Sequence, residues 1–179
     1  MTANDYWPHG PIHKLDGRGM FMITAGTYQK QWFINTNEKL DFIQSLFFSL
    51  AKRYGWKPQA WVFLVNHYHF IAQSPESGLN LSEFLKQFHY EAAKRINEID
   101  GTPHRKVWFQ FRDKHLTYQK SYFARLKYVN TNPAHHGIIR NSSEYRWCSA
   151  IWFKQTAGRS FQHTIETFKT DNLKVYDDF

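Results

Sequence analysis

The chain has 179 residues, a formal net charge of +8 and an aromatic content of 18%. Its longest apolar run, Ala60 to Val65, has six residues, which excludes a membrane-spanning helix, and its first residues lack the charged and apolar regions of a signal peptide. The single cysteine, Cys148, excludes an intramolecular disulfide and a cysteine-rich zinc cluster and is typical of a protein of the reducing cytoplasm.

The positive charge is unevenly distributed along the chain. Residues 77–146 contain 12 Lys and Arg against 6 Asp and Glu, so most of the excess lies in the middle and second half. A field of this sign attracts an anionic polymer, and the many aromatic side chains offer rings for stacking on bases. We therefore expect nucleic acid as the partner, with an ordinary solvated surface as the alternative.

The first half of the chain predicts a strand, a helix and a second strand. The stretch from Met20 alternates as a strand does, and residues 37–54 carry apolar side chains at helical spacing before Gly55 ends the helix. A strand follows through Val65. Residues 69–72 continue in extended form, either as part of the same strand or as the second member of an antiparallel pair around Asn66.

The second half predicts two long helices separated by one strand. A helix begins at Asn80, with Glu83 three residues later as a possible capping box. Residues 100–106 predict a loop, residues 107–117 an aromatic strand, and residues 119–132 a helix that Pro133 stops. Since strands and helices interleave without a break in composition, we expect one domain of the α/β or α+β class around a central sheet.

Two histidines, His67 and His69, follow the most apolar run of the chain. In a strand, alternation places both imidazoles on one face and Tyr68 on the other. Two neutral imidazoles on one face are either half of a metal site or an unusual part of the core.

The last predicted helix has two polar side chains at a suggestive spacing. Tyr122, Leu126 and Val129 form its apolar stripe at 100 degrees per residue. Tyr128 and Asn132 lie one turn apart, away from the centre of that stripe. Both are functional groups, or else Tyr128 is a half-buried aromatic residue and Asn132 only ends the helix.

These motifs together resemble a known family. NHYHF resembles the histidine, hydrophobe, histidine motif of the HUH endonucleases. YVNTNPAHHGII followed by EYRWCSA resembles the signature of the single-tyrosine transposases of the IS200-like superfamily, especially the REP-associated branch. VWFQFRDKH is similar to the strand that precedes the tyrosine helix in that branch, and TAGTYQ to its first strand. The four elements occur in the family's order between about Met20 and Ala150.

The resemblance implies an α+β fold, a ferredoxin-like α/β sandwich with a central antiparallel sheet and helices packed on it. It also implies nicking and joining of single-stranded DNA. His67 and His69 match the family's metal histidines, Tyr128 its nucleophile and Asn132 its third metal ligand. The implied cofactor is a divalent ion, Mg²⁺ or Mn²⁺, and the implied intermediate is a 5′-phosphotyrosine.

The implied partner is DNA, single-stranded and folded into a hairpin, bound by a monomer or a homodimer with exchanged tyrosine helices. The sequence departs from the family pattern at Val65, where a proline is usual, and at Ala134, where a valine is usual. Residues 19–151 match the catalytic domain. Residues 1–18 form a predicted N-terminal extension, residues 152–179 a predicted C-terminal tail, and no family role is assigned to either.

Basic and aromatic side chains of the second half predict a surface that binds the DNA backbone and bases. Phe111 is a further candidate for stacking on bases. The predicted residues are Lys94, Arg95, Arg105, Lys106, Trp108, Arg112, Lys114, Arg125, Lys127 and Arg140. Five other histidines are expected to have structural or DNA-contacting roles: His89, His104, His115, His135 and His136.

Other classes of protein remain as alternatives. A protein of the same fold could bind repetitive palindromic DNA without catalysis. A cupin-like metal enzyme also begins from His-x-His, but it requires an acidic residue where Gln73 and Ser74 stand, and an all-β pattern. A two-histidine phosphodiesterase requires two His-x-Ser/Thr motifs, which the sequence lacks.

Overall fold

The computed structural model describes residues 19–76, 80–175 and 177–179; the predicted N-terminal extension lies outside them. In the described residues, a four-stranded antiparallel sheet has the order β2-β3-β1-β4. Its strands are β1 (Met20–Thr27), β2 (Lys57–Phe63), β3 (His67–Gln73) and β4 (Trp108–His115). The helices are α1 (Asn37–Tyr54), α2 (Leu81–Asp100), α3 (Gln119–His135), α4 (Ala150–Thr156) and α5 (Arg159–Thr167). The predicted ferredoxin-like α+β fold is confirmed.

β2 and β3 form an antiparallel hairpin. Of the two predicted alternatives, one continuous strand or an antiparallel pair around Asn66, the pair is therefore correct. The backbone N–H of Leu64 donates to the carbonyl of His67 at 2.8 Å, and the chain turns through Val65 and Asn66. β3 therefore begins at His67, in the middle of the sheet, where β1 pairs with its other edge.

One face of the sheet is covered by α1 and α2. Both helices bury apolar side chains against the sheet, and Phe47 contacts Phe70, Phe84 and Phe88 between helices and sheet. Aromatic rings of this size remove a large apolar area from water, so this layer supplies much of the folding free energy.

The start of α2 differs from the predicted capping box. Asn80 makes no side-chain cap hydrogen bond. Its Oδ1 accepts from Trp56 Nε1 at 2.7 Å, and its Nδ2 donates to the carbonyl of Tyr54 at 3.1 Å. Asn80 thus joins the start of α2 to the end of α1, because these buried backbone and indole groups need partners.

The other face of the sheet carries α3, and the predicted end of this helix is wrong. α3 continues through Pro133 to His135, with His136 as its C-cap. A proline lacks the N–H that would bond to the carbonyl four residues earlier, here that of Val129. The Cys148 thiol lies 3.7 Å from that oxygen and donates to it, so the last turn of the helix is retained.

The segment containing EYRWCSA fixes α3 to the outer edge of the sheet. The backbone N–H of Phe63 donates to the carbonyl of Trp147 at 3.0 Å, and the N–H of Ser149 donates to that of Trp61 at 2.9 Å. The Ser149 hydroxyl donates to Asn130 Oδ1 in α3 at 2.6 Å. The segment therefore covers the exposed edge of β2 and holds the helix against it.

The predicted domain boundary at residue 151 falls inside α4. Phe153 of α4 and Ile165 of α5 are buried with the rest of the core, and Phe161 contacts Phe123 of α3. Residues 150–167 thus form part of the same folded body. None of the described helices combines the length and apolar character that crossing a bilayer requires.

We predict that His89 makes the fold sensitive to acid. Its Nε2 lies 2.8 Å from Tyr68 Oη, its ring stacks on Trp108, and burial lowers its pKa from 6.5 to about 4. The unfolded chain therefore gains a proton first as pH falls below 6.5, and stability decreases down to about pH 4, by up to about 3 kcal/mol from this group.

Urea unfolding between pH 7.5 and 4 measures this effect. The variant His89→Gln keeps a polar partner for Tyr68 but does not titrate, so we expect it to lose less stability on acidification than the wild type. Parallel pH profiles for the two proteins would show that His89 is not an acid-sensitive group.

Candidate metal and nucleophile site

The two histidines of β3 point towards α3, on the face of the sheet opposite Tyr68. His67 pairs with Gly26 of β1 and His69 with Thr24. Their side chains are 3% and 0% exposed. Both imidazoles are therefore buried, and their nitrogens need defined partners.

The hydrogen bonds of Asn66 define the tautomer of His67. Asn66 Nδ2 donates to the carbonyl of Lys30 at 3.2 Å, so its Oδ1 faces His67 Nδ1 at 2.8 Å. A carbonyl oxygen only accepts, so Nδ1 of His67 carries the proton in this assignment. Its Nε2 consequently presents a lone pair to the site, as in a metal-ligating histidine.

His69 has an equivalent partner in the neighbouring strand. Its Nδ1 lies 2.7 Å from the Thr24 hydroxyl, a group that can either donate or accept. Its Nε2 points to the same space as that of His67. The strand register therefore fixes the orientation of both rings.

α3 brings Tyr128 and Asn132 to the histidines of the same chain. The ring of Tyr128 lies 5.5 Å from that of His69, centroid to centroid. Asn132 is fully buried, and its Oδ1 has no hydrogen-bond partner among the described residues. The four predicted site residues thus gather in one place, and two of their buried acceptor atoms, His67 Nε2 and Asn132 Oδ1, lack a donor in the described structure.

Asp177 occupies the centre of this group. Its Oδ1 lies 3.2 Å from His67 Nε2 and 3.0 Å from His69 Nε2. Its Oδ2 accepts hydrogen bonds from Tyr128 Oη and, at 3.2 Å, from Asn132 Nδ2. The sequence reading missed Asp177, because it lies 108 residues beyond His69 in a segment with no motif.

Phe179 holds the same C-terminal segment against β1 and β3. Its ring stacks on His67 with centroids 4.4 Å apart. It also covers Gly26, where an added Cβ would lie 2.1 Å from the ring. Glycine at this position therefore allows an aromatic ring to lie directly on the strand.

His136 is the second residue at the site that the sequence did not assign to it, since a structural or DNA-contacting role was expected there. It follows Asn132 by one helical turn, and its N–H donates to the carbonyl of Asn132 at 3.0 Å. Its Nε2 lies 3.0 Å from Asp177 Oδ1, and its ring lies 4.9 Å from that of His67. The only available signal was spacing, since Tyr128, Asn132 and His136 repeat every four residues.

The protonation states of the site residues favour binding of a cation. Burial lowers the pKa of His67 to about 4, although Asp177 opposes this shift. Burial and the neighbouring His67 and His135 likewise lower the pKa of His136 to about 4. Burial disfavours ionisation of Asp177, but the close contacts of this carboxylate with His69 and His67 outweigh burial and lower its pKa. At neutral pH the imidazoles of His67 and His136 are therefore neutral, and Asp177 is a carboxylate.

This donor set fits a divalent ion. Ligand atoms of His67, His136 and Asp177 all lie within 4.8 Å of one another. Imidazole nitrogen, carboxylate oxygen and amide oxygen are ordinary ligands of divalent transition metals.

A basic cavity adjoins the site on the same face of the sheet. Thr24, which contacts His69, also pairs with Arg112 of β4, and Met22 pairs with Lys114. These residues line a cavity of about 420 Å³ together with Arg125, Asp113, Lys174 and Val175. Three of the residues predicted to contact DNA thus lie beside the histidines.

The remaining basic residues of the predicted surface are dispersed. Lys94 and Arg105 line a separate cavity near the end of α2, and Lys127 and Arg140 line another beside α5. Arg95 pairs with Glu38, and Lys106 lies over the ring of Tyr28.

The aromatic candidates for base stacking differ in exposure. Trp108 is only 7% exposed and stacks on His89, so it presents no free face in this arrangement. Phe109 and Phe111 of the same strand are exposed.

Comparison with known proteins finds relatives by structure. No protein-family model and no curated protein matches the chain. A solved REP-associated tyrosine transposase bound to a REP hairpin aligns with a TM-score of 0.62 and 19% identity, over 97% of this chain and 93% of that one. A candidate transposase from Deinococcus radiodurans R1 aligns over 70% of this chain and 95% of its own, with 14% identity and a TM-score of 0.47. The resemblance to the REP-associated branch is thus confirmed at the level of the fold.

We predict that Gly26→Ala displaces the C-terminal segment from the site. The added methyl group would overlap the Phe179 ring, whereas the strand itself accepts alanine. Trypsin should then cleave more rapidly after Lys174, as followed by mass spectrometry. Gly158→Ala is the control, because a Cβ there meets nothing within 4 Å. Equal cleavage of both variants would show that Phe179 does not depend on Gly26.

Proposed function

We propose that this protein is a metal-dependent endonuclease and transesterase that cleaves and rejoins single-stranded DNA through a phosphotyrosine at Tyr128. The observation that carries the proposal is the meeting of Tyr128, Asn132 and the histidines of β3 around one carboxylate within one chain. Phosphoryl transfer to a tyrosine requires a nucleophile, neutral metal ligands and a position that can hold an anionic phosphate. The Asp177 carboxylate marks such a position.

Tyr128 would attack the scissile phosphorus through its phenolic oxygen. The bond from phosphorus to the 3′ oxygen breaks, a 5′-phosphotyrosine forms, and the 3′ oxygen leaves and takes up a proton. A phenol with a pKa near 10 is a weak nucleophile at neutral pH, so its alignment and the removal of its proton both matter. Reversal with another 3′-hydroxyl rejoins DNA without a nucleotide cofactor.

His67, His69 and Asn132 would hold the ion. When bound there, Mg²⁺ or Mn²⁺ would neutralise phosphate charge and polarise the phosphorus centre. Asn66 and Thr24 orient the two imidazoles before substrate arrives, because their hydrogen bonds exist in the folded chain.

Asp177 stands where a substrate phosphate must enter. Its two oxygens contact the phenol of Tyr128 and the imidazoles, which are the groups that phosphate oxygens would contact. We infer that residues 177–179 leave the site before DNA binds, so this arrangement is a closed form of the enzyme.

The basic cavity supports a path for the DNA backbone. Arg112 and Lys114 lie on the sheet face that carries the histidines, one strand beyond Thr24. Phosphate contacts there would position the strand without reading its sequence. By analogy with the solved relative, which is bound to a REP hairpin, we propose a DNA hairpin with a single-stranded flank as substrate.

The tyrosine and the histidines meet within one chain, which supports a monomer rather than a dimer with exchanged helices.

Because Asp177 occupies the centre of the site, the structure also favours a second candidate function, that of a protein that binds palindromic DNA without cleaving it. The two candidates differ in whether Tyr128 becomes linked to DNA.

We predict a covalent adduct between the protein and a hairpin oligonucleotide in the presence of Mn²⁺, visible as a shifted band on a denaturing gel. Tyr128→Phe should reduce it by at least about 100-fold, because the nucleophilic oxygen is missing. Tyr118→Phe, an exposed tyrosine just before α3, is the matched control. An adduct that persists in Tyr128→Phe rejects this nucleophile, and hairpin binding without any adduct in the wild type favours the second candidate.

We predict that Lys114→Ala weakens binding of single-stranded DNA and lowers the dependence of log Kd on log salt by about 0.7, the loss of one phosphate contact. Fluorescence anisotropy at several salt concentrations measures both quantities. Lys94→Ala, on the opposite side of the sheet, should change neither. Equal effects of the two substitutions would reject the basic cavity as the DNA path.

A further inference from the structure

We propose that His136 is a ligand of the same metal ion and that Asp177 is another in the closed form, so that imidazoles and a carboxylate together enclose the ion. The inference rests on the proposed function for the existence of a metal site, but it does not require nuclease activity. It assigns to the chain a ligand from the end of α3 that the predicted set of His67, His69 and Asn132 does not contain.

Three imidazole nitrogens converge on one point. Nε2 atoms of His67, His69 and His136 lie 3.2, 3.0 and 3.0 Å from the same oxygen, Oδ1 of Asp177. To bind an ion near that point, each nitrogen would have to approach it by about 1 Å and the carboxylate would have to move aside. Ligand atoms of His67, His136 and Asp177 lie within 4.8 Å of one another, a group that does not include His69.

His67 and Asp177 face each other with two hydrogen-bond acceptors. Because Asn66 fixes the proton of His67 on Nδ1, the lone pair of Nε2 faces an anionic oxygen at 3.2 Å, and no hydrogen bond forms there. Two acceptors in contact repel each other. A cation between the nitrogen and the oxygen would remove this repulsion.

His136 is the C-cap of α3. Its N–H donates to the carbonyl of Asn132, and Asn132 and Tyr128 precede it at four-residue intervals. This hydrogen bond holds His136 at the end of the helix, one turn after Asn132. A ligand attached to a regular element holds a metal geometry better than a ligand on a long loop.

The donor set has a consequence for the choice of metal. Mg²⁺ prefers oxygen ligands, whereas each additional imidazole favours Mn²⁺, Co²⁺ or Zn²⁺. We therefore expect this chain to bind Co²⁺ and Zn²⁺ much more tightly than Mg²⁺.

Titration calorimetry of the full chain without DNA, with the chlorides of Co²⁺, Zn²⁺ and Mg²⁺, tests the inference, together with the visible absorption spectrum of bound Co²⁺. We expect His136→Ala to weaken Co²⁺ and Zn²⁺ binding by at least about 10-fold and to change the Co²⁺ spectrum. Asp177→Asn should also alter the spectrum. His163→Ala, an exposed histidine of α5, is the matched control and should change neither quantity.

Circular dichroism establishes that each variant is folded, and His136→Gln provides a variant of similar size. The inference is overturned if His136→Ala and His136→Gln bind Co²⁺ with the affinity and spectrum of the wild type. If His67→Ala then abolishes binding, the proposed metal site survives and only the role of His136 fails. If the wild type binds none of the ions, both this inference and the metal dependence of the proposed function are rejected.

Discussion

Buried imidazoles must have partners for their nitrogens, and this requirement organises the site and the elements around it. Asn66 and Thr24 each contact one ring nitrogen of the histidine pair, and the opposite nitrogens point into the space below α3. The hairpin turn places Asn66, and the pairing of β1 with β3 places Thr24. The topology of the sheet and the chemistry of the site therefore depend on the same strand register.

The fold and the pair of histidines were largely predictable from the sequence, because they follow from local periodicity. Alternation placed His67 and His69 opposite Tyr68, and helical spacing placed Tyr128 and Asn132 one turn apart. The resemblance to the REP-associated branch added the antiparallel pairing of the central sheet, which the structure confirms. The predicted helix end at Asn132 was wrong because a tertiary contact from Cys148 offsets the missing N–H of Pro133.

The remaining parts of the site arise from long-range contacts that periodicity does not encode. Asp177 and Phe179 follow α4 and α5 in the chain and contact the histidines from far along the sequence, and neither residue belongs to a motif. The dispersal of the basic residues has the same origin. Residues 77–146 carry the charge in sequence, but only the alternation and pairing of β4 decide which side chains face the histidines.

The position of α3 has a consequence for residues far from the site. Tyr128 and His136 span about 12 Å along the helix axis, and both depend on the rotation of the helix about that axis. A rotation equivalent to one residue, about 100 degrees, would turn the phenol, the amide and the imidazole away from the sheet together. The hydrogen bond between Ser149 and Asn130 opposes this rotation from the side of the helix facing β2. Ser149 thus helps to hold the rotational position of three side chains of the proposed site without contacting any of them.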